Sequence, residues 1–459
     1  MELRDIKAVY FVGIGGIGMS ALARYFLRKG VLVAGYDRTS SELTHQLCDE
    51  GALVHYDECV EAIPEPCKHR ETCLVVYTPA IPKEHKELAY FRQNGFEIVK
   101  RAQLLGILTR SYKALCVAGT HGKTTMSSMA AHLLHDSPVG CNAFLGGITK
   151  NYGTNYILSE TSEFVVIEAD EFDRSFHWLS PFASVITATD ADHLDIYGTE
   201  AAYLEAFRKY TSLIAPGGFL ILHAGLKLRA DTRQGVTTFT YSRERGDFHA
   251  ENVRVGNGEI TFDLVSPFGN ISGINLGVPV DVNIENGIAA MALAQIAGVE
   301  AEDIRRGMAS FSGVDRRFDF HVRRKDMVYL SDYAHHPEEI RQSILSIKQL
   351  YEGRHIKAIF QPHLYTRTRD FYRDFAEALS LLDDVVITDI YPARELPIEG
   401  VTSQLIFDHL RPGIRKRLCR LDEVPGIVRQ KDFDVLVTLG AGDIDDLAGE
   451  ITGILNGQR

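Results

Sequence analysis

The segment GTHGKTT at residues 119–125 contains the residue types that hold the phosphates of a nucleotide. It follows the apolar run ALCVA and precedes a segment with helical spacing. At such a turn, backbone N–H groups cradle the phosphates, Lys123 reaches the β- and γ-oxygens, and the Thr124 hydroxyl can ligate Mg²⁺. The general pattern has about four residues between its glycines, whereas here only Thr120 and His121 separate them. We therefore predict that this turn binds a nucleoside triphosphate.

A second glycine-rich turn, GIGGIG at residues 13–18, also lies between an apolar strand and a helical segment. Its G-x-G-x-x-G spacing lets the backbone approach a pyrophosphate at the N-terminus of a helix. Asp37 ends the next strand, 19 residues after Gly18, where NAD enzymes place the acid that binds a ribose. The motif predicts a pyrophosphate ligand but does not say which one.

Two acidic segments follow apolar strands of the same region and are candidates for metal binding. EADE at residues 168–171 ends the strand FVVIEAD, and carboxylates at that edge suit Mg²⁺ beside a phosphate-binding turn. TDADHLD at residues 189–195 also follows a strand, and His193 either ligates a second metal or caps the loop. The sequence leaves open which acid binds metal, and a solvated acidic loop is the alternative.

Basic and histidine residues collect at strand ends in the last third of the chain. They occur in DRRF (315–318), SDYAHHP (331–337) and QPHLYTRT (361–368). In an acidic protein, such clusters indicate recognition of a carboxylate or a phosphate. A solvated face would explain any one of them, but it explains all three together less well.

The elements that must position these motifs alternate between apolar strands and helical segments, which predicts α/β units. Residues 235–276 differ, since they contain four short β-like segments separated by turn residues. A length of 459 residues favours about three domains. We predict three α/β domains, with the bounds 1–108, 109–313 and 314–459.

The composition excludes several classes of protein. The 49 basic and 61 acidic residues give a net charge of -12, which is opposite in sign to a protein that wraps nucleic acid, so we expect no nucleic-acid partner. No run approaches about 18 apolar residues, so we expect no membrane span. The first residues lack the apolar core of a secretory signal, and the seven cysteines are scattered as reduced thiols are, so we expect a cytoplasmic protein.

One group of potential zinc ligands needs a separate interpretation. It consists of His55, Cys59, Cys67, His69 and Cys73. Their spacing matches no zinc pattern, so we interpret them as incidental residues of the first domain.

The motifs together make the whole chain, from about residue 7 to 445, resemble the Mur ligases of peptidoglycan synthesis. GTHGKTT, IEADE and DADHLDIYG are similar to the ATP and metal motifs of that family. GIGGIGMSALA, GVDRRF, SDYAHHP, FQPHLYTRT and LGAGDI resemble its alanine-adding branch. The resemblance implies a Rossmann-like UDP-sugar-binding domain, a central P-loop ATPase-type α/β domain, and a C-terminal Rossmann-like α/β domain that binds the amino acid.

The resemblance also implies an activity, ATP-dependent ligation of L-alanine to the lactyl carboxylate of UDP-N-acetylmuramate. The carboxylate attacks the γ-phosphate of ATP to give an acyl phosphate, the alanine amine attacks its carbonyl, and phosphate leaves. The implied products are UDP-N-acetylmuramoyl-L-alanine, ADP and phosphate. Two Mg²⁺ ions, with Mn²⁺ as a substitute, and a monomer or homodimer are further implications.

Carried over residue by residue, the resemblance assigns individual roles. The residues implied for ATP are Gly119, Thr120, His121, Gly122, Lys123, Thr124, Thr125, Asn283, Asn286, Arg317 and Asp332. Those implied for the UDP-sugar are Gly15, Gly16, Ile17, Gly18, Met19, Asp37, Thr78, Ile81 and Arg101. Those implied for L-alanine are Tyr333, His335, His363 and Arg367. Thr124 and Glu168 are implied for one metal ion and His193 for a second, with Lys123, His193, Arg317 and His335 acting in catalysis.

Two departures from the family pattern affect these roles. Val282 stands where the family often has a histidine beside the adenine-binding asparagines. Leu364 stands where it often has an arginine, so Arg367 must carry more of the binding of the alanine carboxylate.

Three other functions compete with this interpretation. A recycling ligase would join a ready-made tripeptide to the same UDP-sugar, but FQPHLYTRT argues against it. An NAD-dependent oxidoreductase would use the first glycine turn and Asp37, yet it would leave Lys123, Thr124 and the acids without a role. A catalytically inactive ATP-binding protein would not need all the residues for binding phosphate and metal that the chain retains.

Overall fold

The computed structural model describes residues 5–78, 81–82, 84–190, 194–256, 258–393 and 395–457. The chain forms two compact units. Unit 1 comprises residues 1–250, 264–271 and 286–308, and unit 2 comprises residues 251–263, 272–285 and 309–459. Both units are α/β and are built around mostly parallel sheets, as the alternation of strands and helices predicts.

Unit 1 begins with a five-stranded parallel sheet in the order β3-β2-β1-β4-β5. Its strands are β1 Ala8–Val12, β2 Leu32–Tyr36, β3 Leu53–His55, β4 Cys73–Tyr77 and β5 Glu97–Lys100. Its helices are α1 Ile17–Arg28, α2 Glu42–Asp49, α3 Lys86–Gln93 and α4 Arg101–Thr109. The strand order reverses between β1 and β4, which is where a doubly wound sheet opens a crevice for a ligand.

The second sheet of unit 1 has seven strands in the order β12-β11-β10-β6-β9-β7-β8, and only β7 and β8 pair antiparallel. Its strands are β6 Lys113–Ala118, β7 Asn142–Thr149, β8 Thr154–Ile157, β9 Phe164–Ala169, β10 Pro181–Ile186, β11 Phe219–His223 and β12 Thr237–Tyr241. Its helices are α5 Lys123–His135, α6 Leu194–Tyr197 and α7 Glu200–Thr211. The central strand β6 is buried after its first residue, so both faces of the sheet are covered.

Helix α1, which follows the first glycine turn, packs against the second sheet. The Tyr25 ring lies 5.8 Å from that of Phe144 on β7 and 6.4 Å from that of Tyr156 on β8. Arg24, which is 6% exposed, donates to Oδ1 of Asn155 at 2.8 Å. Because these contacts are buried, they fix the glycine turn relative to the second sheet.

Three short strands and two helices complete the middle of the chain. They are β13 His249–Gly256, β14 Glu259–Val265, β15 Ile271–Asn275, α8 Val282–Ile296 and α9 Ala301–Ser310. The strands form a sheet in the order β13-β14-β15. The first β-like segment of residues 235–276 differs from the other three, because β12 extends the parallel sheet beside β11.

Unit 2 contains a six-stranded sheet in the order β16-β17-β21-β18-β19-β20, with only β16 and β17 antiparallel. Its strands are β16 Asp319–Arg323, β17 Val328–Asp332, β18 Ile356–Phe360, β19 Asp384–Ile387, β20 Arg415–Leu418 and β21 Val435–Leu439. Its helices are α10 Pro337–Leu350, α11 Tyr365–Leu379, α12 Gln404–His409, α13 Val424–Val428 and α14 Ala448–Leu455. Two of the three predicted basic clusters, SDYAHHP and QPHLYTRT, lie at the ends of β17 and β18, two strands that flank β21, whereas DRRF precedes β16.

Among the helices of the described residues, none combines the length and the hydropathy that crossing a lipid bilayer requires.

Candidate active site

The turn at residues 119–125, which we name the phosphate cradle after its predicted role, lies between β6 and α5. Gly119 and Gly122 adopt φ values of +129° and +79°, which are unfavourable for residues other than glycine. A Cβ on Gly119 would also clash with Thr187, whose hydroxyl donates to the carbonyl of His121 at 2.5 Å. The free N–H groups at the start of α5 therefore face the space where phosphates would bind.

Lys123, the first residue of α5, has its ammonium group hydrogen-bonded to a backbone carbonyl and to a carboxylate. Its Nζ donates to the carbonyl of Gly119 at 2.7 Å and lies 2.9 Å and 2.8 Å from Oε1 and Oε2 of Glu171. The Glu171 side chain is only 2% exposed. This is a buried ion pair, and the sequence motif did not reveal it, because the partners are 48 residues apart.

Thr124 and Glu168 come together beside the cradle. The Thr124 hydroxyl donates to Oε1 of Glu168 at 3.1 Å, and a Cβ on Gly146 of β7 would clash with Oε2 of Glu168. A hydroxyl and a carboxylate are oxygen ligands that Mg²⁺ accepts, with water and substrate phosphates completing its shell. The two residues fit the expected ion, whereas His193, the expected ligand of a second ion, lies outside the described residues.

The two asparagines expected at the adenine of ATP are both buried on α8. Asn286 belongs to unit 1, where a Cβ on Gly122 would lie 3.0 Å from its Oδ1. Asn286 is therefore a neighbour of the phosphate cradle. Asn283 belongs to unit 2, and its Nδ2 donates to the carbonyl of Val278 at 3.1 Å.

The first glycine turn uses Asp37 to fix its own backbone. Oδ2 of Asp37 accepts from the N–H of Gly15 at 2.7 Å, and Oδ1 accepts from the N–H of Thr39 at 3.1 Å. Thr78 and Ile81, at the end of β4, approach the same turn, because a Cβ on Gly13 would lie 3.2 Å and 3.3 Å from their side chains. The structure thus brings together three of the residues that were expected at the UDP-sugar.

Arg101, at the start of α4, lies directly beside the end of this turn. A Cβ on Gly18 would clash with its Nη1, and its Nη2 donates to Oδ2 of Asp170 at 3.1 Å. Gly18 is in the first turn of α1, where the helix dipole already favours an anion. The guanidinium adds a second positive group at that point, next to the backbone that was expected to bind a pyrophosphate.

A cavity of about 360 Å³ joins the glycine turn to Glu168 in unit 1. Its lining consists of Gly16, Ile17, Gly18, Met19, Thr78, Arg101, Leu105, Phe144, Leu145, Gly146, Glu168 and Asp170. Residues 144–146 of β7 and Leu105 were not expected at the site. In the sequence, only the two adjacent glycines of FLGGITK pointed to this part of β7, because a glycine inside a strand marks a place where another group approaches the backbone closely.

Arg317 and Asp332 lie together in unit 2 at the end of β17. Oδ1 of Asp332 accepts from the N–H of Phe318 at 3.2 Å, and Arg317 sits over the Tyr333 ring at 5.4 Å. Burial raises the pKa of Asp332. Arg316, the neighbour of Arg317, is instead paired with Asp445 at 2.7 Å, so of the two arginines in DRRF it is the structural one.

His335 is held by Tyr333 and Glu339 at the start of α10. Its Nδ1 lies 3.0 Å from the carbonyl of Tyr333 and 3.4 Å from Oε2 of Glu339. Glu339 also accepts from the N–H groups of His335 and His336, as a capping residue does. Burial lowers the pKa of His335 more than Glu339 raises it, so the ring is neutral near pH 7.

Arg367 lies in the first turn of α11, next to His363, which precedes that helix. Nδ1 of His363 lies 3.3 Å from Nη1 of Arg367, and the rings of His335 and His363 are 5.9 Å apart. Burial, and then the positive charge of Arg367, lower the pKa of His363 to about 4. Tyr333, His335, His363 and Arg367 therefore form one cluster in unit 2, and their role in binding an amino acid stays a prediction.

The possible zinc ligands of the first domain have other contacts. Nε2 of His55 lies 2.7 Å from the Tyr10 hydroxyl, and Sγ of Cys59 lies 3.0 Å from Glu61. Within the described parts of the chain, no group of three or more His, Cys, Asp or Glu side chains is arranged to hold a metal ion.

The chain is similar to known proteins over almost its whole length. Three family models match it: the Mur ligase family catalytic domain over residues 8–113, the Mur ligase middle domain over 117–294, and the Mur ligase glutamate ligase domain over 316–442. The chain belongs to the Mur ligase family. Members of this family use ATP and Mg²⁺, in agreement with the phosphate cradle and the Thr124–Glu168 pair.

Individual relatives are similar over almost their whole length. A UDP-N-acetylmuramate–L-alanine ligase of Phocaeicola vulgatus is 66% identical over 99% of this chain and 100% of its own, and one of Porphyromonas gingivalis is 50% identical over 96% and 97%. The solved structure of the UDP-N-acetylmuramate–alanine ligase of Thermotoga maritima has a TM-score of 0.81 and 28% identity, and covers 98% of this chain and 100% of its own. The fold is thus the three-domain α/β fold of these ligases, as the sequence motifs predict.

Proposed function

We propose that this protein ligates L-alanine to the lactyl carboxylate of UDP-N-acetylmuramate at the expense of ATP. The products are UDP-N-acetylmuramoyl-L-alanine, ADP and phosphate, so the protein supplies a precursor of peptidoglycan. The observation that carries the proposal is the cavity of unit 1, which runs from the glycine turn to Glu168 beside the phosphate cradle. The substrates are those named for relatives that are 66% and 50% identical to this chain.

The first chemical step is phosphoryl transfer. An oxygen of the lactyl carboxylate attacks the γ-phosphorus of ATP, ADP leaves with the bonding electron pair, and an acyl phosphate forms. Lys123 and the N–H groups at the start of α5 neutralise charge that builds up on the phosphate oxygens. Thr124 and Glu168 would hold Mg²⁺, which would supply further positive charge to those oxygens. His193 would bind a second ion, and Mn²⁺ would substitute for Mg²⁺.

The second step forms the amide bond. The nitrogen of L-alanine attacks the acyl carbon, loses a proton, and phosphate leaves from the tetrahedral intermediate. Arg367 binds the alanine carboxylate, while Tyr333 and His363 line the site. His335 accepts the proton, since its lowered pKa keeps the ring neutral near pH 7.

The other proposed binding roles are distributed over three domains, residues 1–108, 109–313 and 314–459. Residues 119–125, Asn283 and Asn286 bind ATP together with Arg317 and Asp332. The UDP-sugar residues are Gly15, Gly16, Ile17, Gly18, Met19, Asp37, Thr78, Ile81 and Arg101. The enzyme acts in the cytoplasm, where both nucleotides are made, and sedimentation analysis distinguishes a monomer from a homodimer.

A phosphate-release assay tests the function. Purified protein receives ATP, Mg²⁺ and UDP-N-acetylmuramate with L-alanine, glycine, L-serine or the tripeptide L-alanyl-γ-D-glutamyl-meso-diaminopimelate. We expect the highest kcat/KM with L-alanine and none with the tripeptide. Release that requires the tripeptide would identify a recycling ligase, and failure of every acceptor would refute the proposal.

A further inference from the structure

The loop that follows β9 contains two adjacent carboxylates, each paired with a cation at a different nucleotide site. Asp170 accepts from Arg101 at 3.1 Å beside the glycine turn. Glu171 is 2.8 Å from Lys123 in the phosphate cradle. Lys123 and Arg101 were expected to contact the two nucleotides. The sequence predicted no partner for Asp170 or Glu171.

We propose that Asp170 and Glu171 are positioning residues for the two nucleotide substrates. Asp170 holds Arg101 for the pyrophosphate of the UDP-sugar, and Glu171 holds Lys123 for the phosphates of ATP. The inference rests on the proposed function, since it takes those two nucleotides as the ligands.

The contacts of Lys123 decide how Glu171 acts. An ammonium group has three N–H donors, and the hydrogen bonds to the Gly119 carbonyl and to Oε1 of Glu171 use two of them. Lys123 can therefore donate its third N–H to a phosphate while it stays bound to Glu171. It cannot release Glu171 altogether without leaving a carboxylate that is 2% exposed without its cation, which is costly. Glu171 therefore tethers the ammonium group while the phosphate binds.

The Asp170–Arg101 pair is more exposed and is expected to have a weaker effect. The two side chains are 35% and 26% exposed, so solvent screens the pair. Both residues line the cavity of unit 1, with Arg101 on the side of Gly18. While that space lacks an anionic ligand, Asp170 balances the guanidinium and keeps it at the turn.

Hydrogen bonds to the loop hold both carboxylates in place. The N–H of Phe172 donates to Oδ1 of Asp170 at 3.0 Å, and the Tyr197 hydroxyl donates to the carbonyl of Glu171 at 2.5 Å. Asp173 and Arg174 then adopt φ values of +49° and +55°, which few residues other than glycine adopt. Such a conformation persists only where surrounding contacts enforce it.

The same loop offers a matched control. Oδ2 of Asp173 pairs with Nζ of Lys100 at 2.8 Å, but neither residue lines the cavity and both side chains are 37% exposed. Asp173→Asn removes a charge of the same kind from the same loop, and asparagine tolerates the positive φ. It tests whether any loss of charge in the loop alters binding.

The experiment measures the affinity of the full-length protein for ADP with Mg²⁺ and for UDP-N-acetylmuramate by calorimetry, together with kcat. Glu171→Gln keeps an acceptor for Lys123 but removes the competing charge. We expect it to bind ADP about tenfold more tightly, because one negative charge near the phosphates is gone. We also expect kcat to fall about tenfold because the tether is weaker, with UDP-N-acetylmuramate affinity unchanged.

Asp170→Asn should show the reverse selectivity. We expect UDP-N-acetylmuramate to bind about threefold more tightly, because asparagine still accepts from Arg101 but no longer competes for its charge, with ADP affinity unchanged. Asp173→Asn should leave both affinities within about twofold of wild type. A purely structural role predicts weaker binding of both ligands in each variant, and that outcome or unchanged affinity would overturn the inference.

Two further measurements keep the test decisive. If Glu171→Gln does not fold, Glu171→Asp keeps the charge but shortens the tether. It should lower kcat at least about fivefold with ADP affinity unchanged, and an unchanged kcat would overturn the inference. Wild-type protein that binds neither ligand would count instead against the proposed function.

Discussion

The hydroxyl of Thr124 donates to Oε1 of Glu168 at 3.1 Å, which joins the first turn of α5 to the end of β9. The two residues are 44 positions apart in the sequence. Their contact places the pair proposed to bind Mg²⁺ next to the phosphate cradle, and it follows from how β6 and β9 pair in the sheet.

Glu168→Gln should weaken the use of Mg²⁺. A neutral amide replaces a charged oxygen ligand, so we expect the Mg²⁺ concentration for half-maximal rate to rise at least about tenfold. Glu163→Gln is the control, because Glu163 precedes the same strand but pairs on the surface with Lys113. Titration of the phosphate-release rate with Mg²⁺ gives both values, and equal shifts in the two variants would contradict the assignment.

Lys123→Ala should abolish turnover and also destabilise the fold. Loss of the cation lowers kcat by at least about 10²–10³, since charge on the transferring phosphate has no partner. It also leaves Glu171 buried without its cation, a defect that typically costs about 3–5 kcal/mol. Urea unfolding of Lys123→Ala and of the double variant with Glu171→Gln separates the effects. The double variant should regain stability but not activity; recovery of activity would exclude a catalytic role for Lys123.

Arg367→Ala should affect L-alanine more than ATP. If Arg367 binds the carboxylate of the amino acid, its loss raises the KM for L-alanine at least about tenfold. The KM for ATP should change less than about threefold. Arg369→Ala on the same helix is the control, because Arg369 is exposed and pairs with its neighbour Asp370. Equal changes in the two KM values would argue against the assignment of Arg367.

Much of the site could be predicted from short motifs. The two glycine turns were recognisable because each turn and the helix N-terminus that follows it are contiguous in sequence, and Lys123 directly follows the second turn. The cluster of Tyr333, His335, His363 and Arg367 was expected only from the resemblance to Mur ligases. The structure brings these residues together because β17 and β18 flank one strand and end at the same edge.

The partners of the acidic residues were not predictable. The sequence shows that Asp170 and Glu171 follow a strand, but not that they pair with Arg101 and Lys123, which are 69 and 48 residues away. Such pairings depend on side-chain direction and on the packing of α4 against the loop. The pairing of β12 with β11 was not predictable either, because a short alternating strand does not reveal its neighbour.

The stability of the protein should depend on pH through His363. Its pKa in the folded protein is about 4, below the value of about 6.5 for an unfolded chain, because burial, Arg367 and His335 all disfavour its charged form. Between these values only the unfolded chain takes up the proton, so stability is full above about pH 6.5 and falls as the pH drops towards 4. His363→Asn should therefore lose less stability than wild type between pH 7 and pH 5, measured by urea unfolding. Parallel losses would contradict the lowered pKa.

The most direct test of the account follows the oxygen atoms of the substrate. UDP-N-acetylmuramate labelled with ¹⁸O in both oxygens of the lactyl carboxylate is incubated with the enzyme, ATP, Mg²⁺ and L-alanine. If the carboxylate attacks the γ-phosphate, one labelled oxygen leaves with phosphate and the other stays in the amide. Mass spectrometry should find one ¹⁸O in each phosphate released. Phosphate without the label, formed at the same rate as the amide, would contradict the acyl-phosphate route.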